Sequence, residues 1–292
     1  MIPPKQGFWE LYKMQYFNSK HIIPKKSLGQ NFLINRGVLN KIVEVAEISK
    51  EDVVLEVGPG TGNLTEKLAE RAFWVVAIEK DSRLIEPLKE KFKDSNVEIV
   101  EGNILKIDIG VLLDHSILLS KASGNVKYKV VANIPYYITS NLLRTIFEKW
   151  PRPKLIVLTV QKEVAQRIVA KPPDMNLLAL SVQFYAEPKI IGYISRGSFR
   201  PMPNVDSAII KLKPRVFEVE PPMEVQPRKL FRLIKAGFSE KRKQLVNNLA
   251  KNFGIMREDM LKIFEKVGIE PNIRTENLSL SQWIELSKFI EK

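Results

Sequence analysis

From residue 53 to residue 160, short runs of β-branched residues alternate with longer segments whose apolar residues recur three and four positions apart. The short runs predict strands: DVVLEVG, WVVAIE, VEIVEGN, YKVVAN and KLIVLTV. The longer periodic segments NLTEKLAERA and DSRLIEPLKEKF predict helices. Because strands that alternate with helices pair in parallel, this pattern predicts an α/β fold with a mostly parallel sheet and helices on both of its faces.

The pattern changes after residue 160. The segments ALSVQFYA, KIIGYIS and SAIIKLKP have few helical signals between them, so we expect further, partly antiparallel strands and a sheet that ends near Lys213. Residues 214–227 contain four prolines without clear periodicity, which is typical of a linker. Residues 228–292 have helical periodicity and predict a small all-helical domain. The α/β domain then covers 25–213, after an N-terminal extension over 1–24.

Composition narrows the possible chemistry. The 292 residues include no cysteine and only two histidines, His21 and His115, which are far apart in the sequence. Disulfides, thiolate nucleophiles and cysteine-ligated metals are therefore excluded, and we expect no metal site. The chain has no run of about eighteen apolar residues and no signal-peptide pattern, so we expect a cytoplasmic protein that does not bind membranes.

The charge balance indicates which class of partner the protein binds. The chain has 46 Lys and Arg residues against 33 Asp and Glu, a net charge of +13, and its pI is about 9.6. This excess favours a polyanionic partner, and nucleic acid is the leading candidate. A solvated lysine-rich surface of the kind that heat-adapted proteins carry is the alternative, and charge alone does not separate the two.

A glycine-rich loop follows the first predicted strand. The sequence LEVGPGTGNLTEKL places Gly58, Gly60 and Gly62 between strand and helix, where glycine permits a tight turn and lets a ligand approach the backbone. The dinucleotide fingerprint needs its third glycine where this chain has Asn63, and the P-loop lysine is also missing. With Glu56 two residues ahead of it, the loop is instead typical of enzymes that bind S-adenosylmethionine, a ligand without phosphate.

Polar residues end the next two predicted strands. Glu79 ends the second strand, where a carboxylate can accept hydrogen bonds from both hydroxyls of a ribose. Asn103 follows the third strand, where its amide oxygen can accept from an adenine amine. Alone, Glu79 could be a surface acid that caps a helix and Asn103 a turn residue. Together with the glycine loop at the same sheet edge, they predict a cofactor site.

The fourth predicted strand runs into Asn133-Ile134-Pro135-Tyr136 at this edge of the sheet. An exocyclic adenine amine is a poor nucleophile because its lone pair is delocalised into the ring. The Asn133 oxygen and the Ile134 carbonyl could accept hydrogen bonds from that amine and direct its lone pair at a methyl sulfonium. Pro135 would fix the direction of that carbonyl, and Tyr136 would stack on a flipped-out base. The alternative is an Asn-Pro turn followed by a core tyrosine.

Nine segments of the chain, in the same order, resemble the KsgA family of small-subunit ribosomal RNA adenine dimethyltransferases. The match covers about residues 25 to 288, and the segments are KKSLGQNFL, EVGPGTGNLT, AIEKD, EGNIL, ANIPYYITS, QKEVAQRIVAKP, FRPMPNVDSAI, FSEKRKQLVNNL and RTENLSLSQW. The resemblance implies a Rossmann-like methyltransferase fold with a C-terminal helical domain. It also implies that two adjacent adenosines near the 3′ end of small-subunit RNA become dimethyladenosines during ribosome assembly, with S-adenosylmethionine as the methyl donor. We expect a monomer that binds a 30S-type assembly intermediate.

The resemblance also assigns residues by motif. Cofactor contacts are implied at Asn31, Leu33, Gly58, Gly60, Glu79, Asn103 and Asn133. The assignment of Leu33 rests on the family alone. Phe199 would be the second stacking face, opposite Tyr136; from the residues alone it could equally be a loop aromatic that packs on the core.

Two departures from the family pattern bear on the site. Asn103 stands where members commonly have Asp, so it can accept from adenine without contributing charge. The segment KPPDMNLLALSV lacks the Tyr-Gly-Arg that members often have before this Leu-Ser. The first departure affects the expected affinity for the cofactor, and the second leaves the role of that loop open.

The basic run Lys241-Arg242-Lys243 lies in a predicted amphipathic helix that has Leu245 and Leu249 on its buried stripe. We expect this run to contact ribosomal RNA phosphates; a solvated helix face is the simpler alternative. Two other functions remain open from the residues: an RNA-binding assembly or transcription factor with the same fold and little turnover, and an adenine methyltransferase that acts on large-subunit RNA or DNA.

Overall fold

A computed structural model describes residues 23–120, 128–215, 226–240 and 242–290 of the chain. Strands β1 to β9 within these ranges are Phe32–Leu33, Val53–Val57, Trp74–Glu79, Val97–Glu101, Tyr128–Asn133, Leu155–Gln161, Ala186–Ile194, Phe199–Arg200 and Ser207–Pro214. Helices α1 to α11 are Arg36–Val45, Asn63–Ala69, Ser82–Lys91, Ile109–Ser120, Thr139–Lys149, Lys162–Ile168, Leu177–Tyr185, Pro227–Gly237, Leu245–Phe253, Arg257–Val267 and Leu280–Ser287.

The chain forms two compact units: residues 1–138 with 195–204, and residues 139–194 with 205–292. In the first unit, β2 pairs in parallel with β3 and β5, and β3 pairs in parallel with β4. Every residue of β2 is buried, which explains why this strand is continuously apolar except for Glu56. The parallel strands and intervening helices confirm the predicted α/β pattern.

Side-chain caps fix where two helices of this unit begin. The Asn35 side chain accepts a hydrogen bond from the Val38 N–H at the start of α1, and Asp81 accepts from the Arg83 N–H at the start of α3. The short strands β1 and β8 pair antiparallel, with Leu33 opposite Phe199. These contacts hold the segment before α1 in a defined position on this unit.

The second unit contains an antiparallel group of strands. The central strand β9 pairs with β6 on one side and β7 on the other, and β7 has an irregularity between Ile190 and Gly192. The predictions of antiparallel strands at KIIGYIS and SAIIKLKP are confirmed. The prediction of a strand at ALSVQFYA is wrong, because these residues belong to helix α7 and the first residue of β7.

The assignment of ALSVQFYA failed because α7 has apolar residues on several sides. Ala179, Leu180, Val182 and Phe184 are all buried, so the segment lacks the one-sided periodicity that marks a surface helix. Its start is fixed by Asn176, whose side chain accepts from the Ala179 N–H.

The C-terminal region is helical, as predicted, and α8 to α11 share a core with α7. Residues from both groups, including Phe184, Leu233, Leu249 and Trp283, form one buried cluster within the second unit. The boundaries of the compact units therefore differ from those of the domains predicted from the sequence, which were 25–213 and 228–292. Most of the N-terminal extension and of the linker lies outside the described residues.

The predicted long helix around FSEKRKQLVNNL is interrupted. Helix α8 ends at Gly237, and α9 begins at Leu245. The Gly237 carbonyl accepts hydrogen bonds of 2.7 Å from both the Asn248 side chain and the Thr275 hydroxyl. A side chain at Gly237 would overlap the Trp283 ring, so close packing accounts for glycine at this helix end. None of the described helices is long and apolar enough to cross a membrane.

Candidate active site

A cleft in the first unit lies at the carboxyl ends of the parallel strands. Residues from the loops after β2, β3, β4 and β5, together with the segment around β1, line it. Ten residues singled out from the sequence are brought together here: Asn31, Leu33, Gly58, Gly60, Glu79, Asn103, Asn133, Ile134, Pro135 and Tyr136. Open α/β sheets bind ligands at this edge, so the cleft is the candidate cofactor site.

The glycine loop needs glycine for two different reasons. Gly58 and Gly60 have φ angles of +68° and +59°, in the left-handed region that other residues rarely adopt. A Cβ atom at Gly60 would lie only 2.8 Å from the Phe32 ring, whereas one at Gly58 would meet nothing within 4 Å. The space beside Gly58 is therefore free of other atoms from the described part of the chain, whereas the absence of a side chain at Gly60 lets Phe32 pack directly on the loop backbone.

The Glu79 carboxylate fixes this loop to the end of β3. Its Oε2 atom accepts a hydrogen bond of 3.1 Å from the Gly60 N–H, and its Oε1 atom accepts from the N–H groups of Lys80 and Asp81 at 2.8 Å. Burial raises the pKa of Glu79 above its usual value, although these three donors favour the charged form. Glu79 is thus a buried carboxylate that lines the cleft and already has defined geometry.

Glu56, near the end of β2, is a second buried carboxyl group in the lining. It is 1% exposed, and burial raises the pKa of Glu56 to about 8, so the group is largely protonated at neutral pH. Its Oε2 atom has no hydrogen-bond partner within the described part of the chain. An unpartnered buried carboxyl oxygen suits a ligand that brings positive charge or hydrogen-bond donors.

Asn103 combines a structural role with its place in the cleft. Its Oδ1 atom accepts a hydrogen bond of 3.2 Å from the Leu105 N–H, as in a turn. An amide oxygen has two lone pairs, so this bond leaves capacity for a second donor. Asn103 is thus both a turn residue and a cleft residue, the two interpretations that the sequence allowed.

Side chains hold β1 and the residues before it at the sheet edge. The Gln30 amide donates to Asp81 at 2.8 Å, and the Asn63 amide donates to the Leu33 carbonyl at 3.0 Å. The hydrogen bond from Arg83 to Asp81 is the main reason that the pKa of Asp81 is lowered to about 2. A charged Asp81 therefore holds Gln30 across most of the pH range.

Asn133 at the end of β5 has its amide oriented by this same segment. Its Nδ2 atom donates to the Asn31 carbonyl at 3.1 Å. Because the nitrogen is used in this bond, Oδ1 on the other branch of the amide is the atom left to accept from a ligand. Pro135 follows the buried Ile134 and also lines the cleft, so the tetrad presents acceptors from a rigid backbone.

Two consecutive tyrosines follow Pro135. Tyr136 is half-buried and lines the cleft, as a stacking residue would need to be. Tyr137 is 57% exposed and packs over Gly29, where an added Cβ would approach its ring to 3.2 Å. Tyr137 was not singled out from the sequence, nor was Phe32. Their signal is weak, because single aromatics beside glycine or proline are common in loops.

Phe199 does not present a stacking face in this structure. Its side chain is 0% exposed and is not part of the cleft lining. Antiparallel pairing of β8 with β1 places it opposite Leu33 and directs its ring into the core. The expectation that Phe199 offers a second free ring face is corrected, and the alternative, an aromatic that packs on the core, describes the structure.

The basic run lies in the second unit. Arg242 and Lys243 are exposed in the turn between α8 and α9, and Lys241 lies outside the described residues. The Lys243 ammonium pairs with Glu240 at 2.6 Å, and Lys251 pairs with the same carboxylate at 3.0 Å. The prediction that these cations lie within a helix is therefore wrong for Arg242 and Lys243, while their exposure to solvent is confirmed.

The cleft fits S-adenosylmethionine better than a phosphate-containing nucleotide. Two buried carboxyl groups line it. Glu79, whose three N–H donors favour its charged form, suits hydroxyl donors and would repel a pyrophosphate. Glu56 is largely protonated without a ligand, and its unpartnered Oε2 atom suits a cationic group. In the described ranges there is no group of three or more His, Asp or Glu side chains that could hold a metal ion. The fold and the site define an S-adenosylmethionine-dependent methyltransferase.

Comparisons with known proteins identify the family. Residues 23–292 match the family described as ribosomal RNA adenine dimethylase. The ribosomal RNA small subunit methyltransferase A of Dehalococcoides mccartyi strain ATCC BAA-2266 is 44% identical over 260 residues, 89% of this chain and 86% of the relative. The dimethyladenosine transferase of Plasmodium falciparum superposes with a TM-score of 0.72 at 29% identity, over 87% of this chain and 95% of that one.

A further structure shares the fold alone. The 23S rRNA methyltransferase ErmE has a TM-score of 0.68 and is 24% identical, over 90% of this chain and all of that one. The chain belongs to the ribosomal RNA adenine dimethylase family, and it is an S-adenosylmethionine-dependent rRNA adenine dimethyltransferase. The resemblance stated from the nine sequence segments is confirmed.

Proposed function

We propose that this enzyme dimethylates the exocyclic amines of two adjacent adenosines near the 3′ end of small-subunit, 16S-type ribosomal RNA. It acts as a monomer in the cytoplasm, on a 30S-type assembly intermediate. The observation that carries the proposal is the orientation of Asn133, whose nitrogen is used by the Asn31 carbonyl so that its oxygen is available to an amine. Methyltransferase A relatives at 38% to 45% identity support the choice of the small subunit.

Four sets of residues contact the cofactor at one end of the cleft. Glu79 accepts from the ribose hydroxyls, and Asn103 accepts from the adenine amine. The backbone of Gly58 and Gly60 allows close approach, and the segment at Asn31 and Leu33 closes the site from the other side. When bound here, S-adenosylmethionine supplies a methyl group activated by a positively charged sulfur.

The amine end of the cleft selects and orients the acceptor. The Asn133 Oδ1 atom and the Ile134 carbonyl accept hydrogen bonds from the adenine amine and favour a pyramidal nitrogen. Pro135 limits movement of that carbonyl. The Tyr136 ring stacks on the flipped-out base, an interaction worth about 1–3 kcal/mol. The RNA backbone is held elsewhere, and Lys241, Arg242 and Lys243 are proposed to contact its phosphates without reading sequence.

The test is transfer of labelled methyl groups to small subunits that lack the modification, followed by mapping of the modified nucleotides. We expect two labelled, adjacent adenosines near the 3′ end and two methyl groups on each. Labelling of large-subunit RNA or of DNA instead would overturn the choice of substrate. Cofactor binding without transfer to any of these substrates would favour an assembly factor with little turnover.

A further inference from the structure

A broad cationic groove lies within the second unit. It has a volume of about 1560 Å³, beyond the roughly 300–1,000 Å³ of ordinary small-molecule pockets. Among the described residues, seven positively charged ones line it, all of them exposed: Arg144, Arg152, Arg167, Arg215, Arg228, Arg232 and Lys235. Within the same described lining, Glu148 is the only acidic residue, and it pairs with Arg144 at 2.9 Å. The size and charge of the groove suit an extended polyanion.

Helix α8 supplies one wall of the groove as a row of cations. Arg228, Arg232 and Lys235 follow one another at spacings of four and three residues, which places them on one face of the helix. The opposite face contains Leu230 and Leu233, which are buried in the core. From residue 228 to residue 235 the helix rises about 10 Å, so the row is longer than a single phosphate group.

The floor of the groove is apolar and packed. The Phe147 and Tyr185 rings stack at 5.3 Å with planes 9° apart, and Tyr185 and Phe231 stack at 6.0 Å. Burial raises the pKa of Tyr185 to about 12, so its hydroxyl stays neutral. Stacking within the floor therefore already uses part of the aromatic surface. The cations on the walls are the groups in the groove that suit a polyanion.

We propose that this groove binds the sugar–phosphate backbone of ribosomal RNA and is a second RNA contact, separate from the turn that contains Arg242 and Lys243. The inference rests on the proposed function, because it takes ribosomal RNA as the partner. Arginine pairs with phosphate through two parallel hydrogen bonds, and six of the seven cations are arginines. Such contacts add affinity and orientation without base specificity.

The test compares two double variants with equal loss of charge. Arg228→Gln with Lys235→Gln removes two groove cations, and Lys229→Gln with Lys266→Gln removes two exposed cations outside the groove. Binding to a small-subunit RNA fragment and to unmodified small subunits is measured at several salt concentrations. In the groove variant we expect the slope of log K against log salt to fall by about 1–2, and affinity to fall tenfold or more.

Equal affinities and slopes for the two variants would overturn the inference. A lower melting temperature of the groove variant with unchanged RNA binding would also overturn it, because the cations would then act within the fold. Weaker binding to subunits but not to the RNA fragment would assign the groove to a ribosomal protein instead. Methyl transfer by the wild-type enzyme is measured in parallel; if it fails, the proposed function is at fault and not the groove.

Discussion

The side chain of Asn133 and the main chain of Asn31 are joined by a hydrogen bond of 3.1 Å, although they lie 102 positions apart in the sequence. The bond determines which way the Asn133 amide faces. It also makes the segment around β1 part of the acceptor geometry, because a shift of Asn31 would remove the partner of the nitrogen. Two motifs that are separate in the sequence therefore act as one site.

Replacing Asn133 by Ala should lower turnover by about two to three decades while cofactor affinity stays within roughly tenfold. The physical reason is that the amide oxygen is needed to orient the acceptor amine during transfer and contributes little to holding the cofactor. Single-turnover methyl transfer and calorimetric cofactor titration separate the two quantities. Near-normal turnover in this variant would remove Asn133 from the proposed role.

Asn133→Asp is the matched second variant. It keeps an oxygen acceptor but replaces the nitrogen that donates to the Asn31 carbonyl, so two acceptors would then face each other. We expect an intermediate loss of turnover and a lower melting temperature. Equal loss in both variants would indicate that the orientation of the amide, more than its oxygen, limits the reaction.

Replacing Glu79 by Ala should weaken cofactor binding by roughly 1.5–3 kcal/mol through the loss of charge-assisted hydrogen bonds to the ribose. The same change releases the Gly60 N–H, which donates to Glu79 at 3.1 Å, so the loop also loses an anchor. Calorimetry on the folded variant measures the effect. Glu101→Gln is the control, because Glu101 is an exposed acid opposite Glu79 in the sheet register. Equal affinities in the two variants would contradict the role of Glu79.

The parallel strands and the residues at their ends could be predicted from the sequence because both depend on local pattern. Continuous β-branched runs mark buried strands, and the carboxyl ends of such strands share one sheet edge, which is enough to bring Glu79, Asn103 and Asn133 together. Contacts such as that between Asn133 and Asn31 depend on how distant segments pack. No spacing in the sequence specifies them.

Two incorrect predictions show what hydrophobic periodicity and short sequence segments do not reveal about the structure. The segment of α7 is apolar on several sides, so its periodicity does not distinguish a buried helix from a strand. The burial of Phe199 follows from the pairing of β8 with β1, in which Phe199 lies opposite Leu33. These two residues are 166 positions apart in the sequence, and each strand has only two residues. Their length is too short to give a sequence signal.

Stability without cofactor should depend on pH through Glu56. Burial raises the pKa of Glu56 from 4.5 to about 8, so the folded state keeps a proton that the unfolded chain releases. This contribution is fully present below about pH 4.5 and is lost as pH rises through 8. It amounts to a decline on the order of 5 kcal/mol across that window.

Glu56→Gln should therefore flatten the fall in melting temperature between pH 5 and pH 8, measured by calorimetry on the cofactor-free protein. The amide keeps the size of the carboxyl group and does not ionise. Glu90→Gln is the control, because Glu90 is an exposed acid on α3 and should leave the pH profile as in the wild type. Parallel profiles for wild type and Glu56→Gln would show that Glu56 does not bind a proton in the folded state.

The exposed turn between α8 and α9 gives the last prediction. Replacing Lys241, Arg242 and Lys243 by Gln should weaken binding to unmodified small subunits and lower the salt slope by about one log–log unit for each phosphate that the variant no longer binds. Lys243 already pairs with Glu240, whose pKa is lowered mainly by that hydrogen bond, so part of its charge is used locally. We therefore expect the slope to fall by less than three units.

The matched control replaces three lysines of the same unit, Lys262, Lys266 and Lys288, by Gln. Lys262 and Lys288 pair with acids three residues away, as Lys243 does, so the control reproduces the loss of an exposed ion pair as well as the loss of charge. If the turn contacts RNA, only the first variant changes the salt slope, and cofactor affinity and melting temperature stay close to wild type in both. Equal slopes in the two triple variants would mean that the cations of the turn form a solvated surface, and that net charge alone accounts for any loss of affinity.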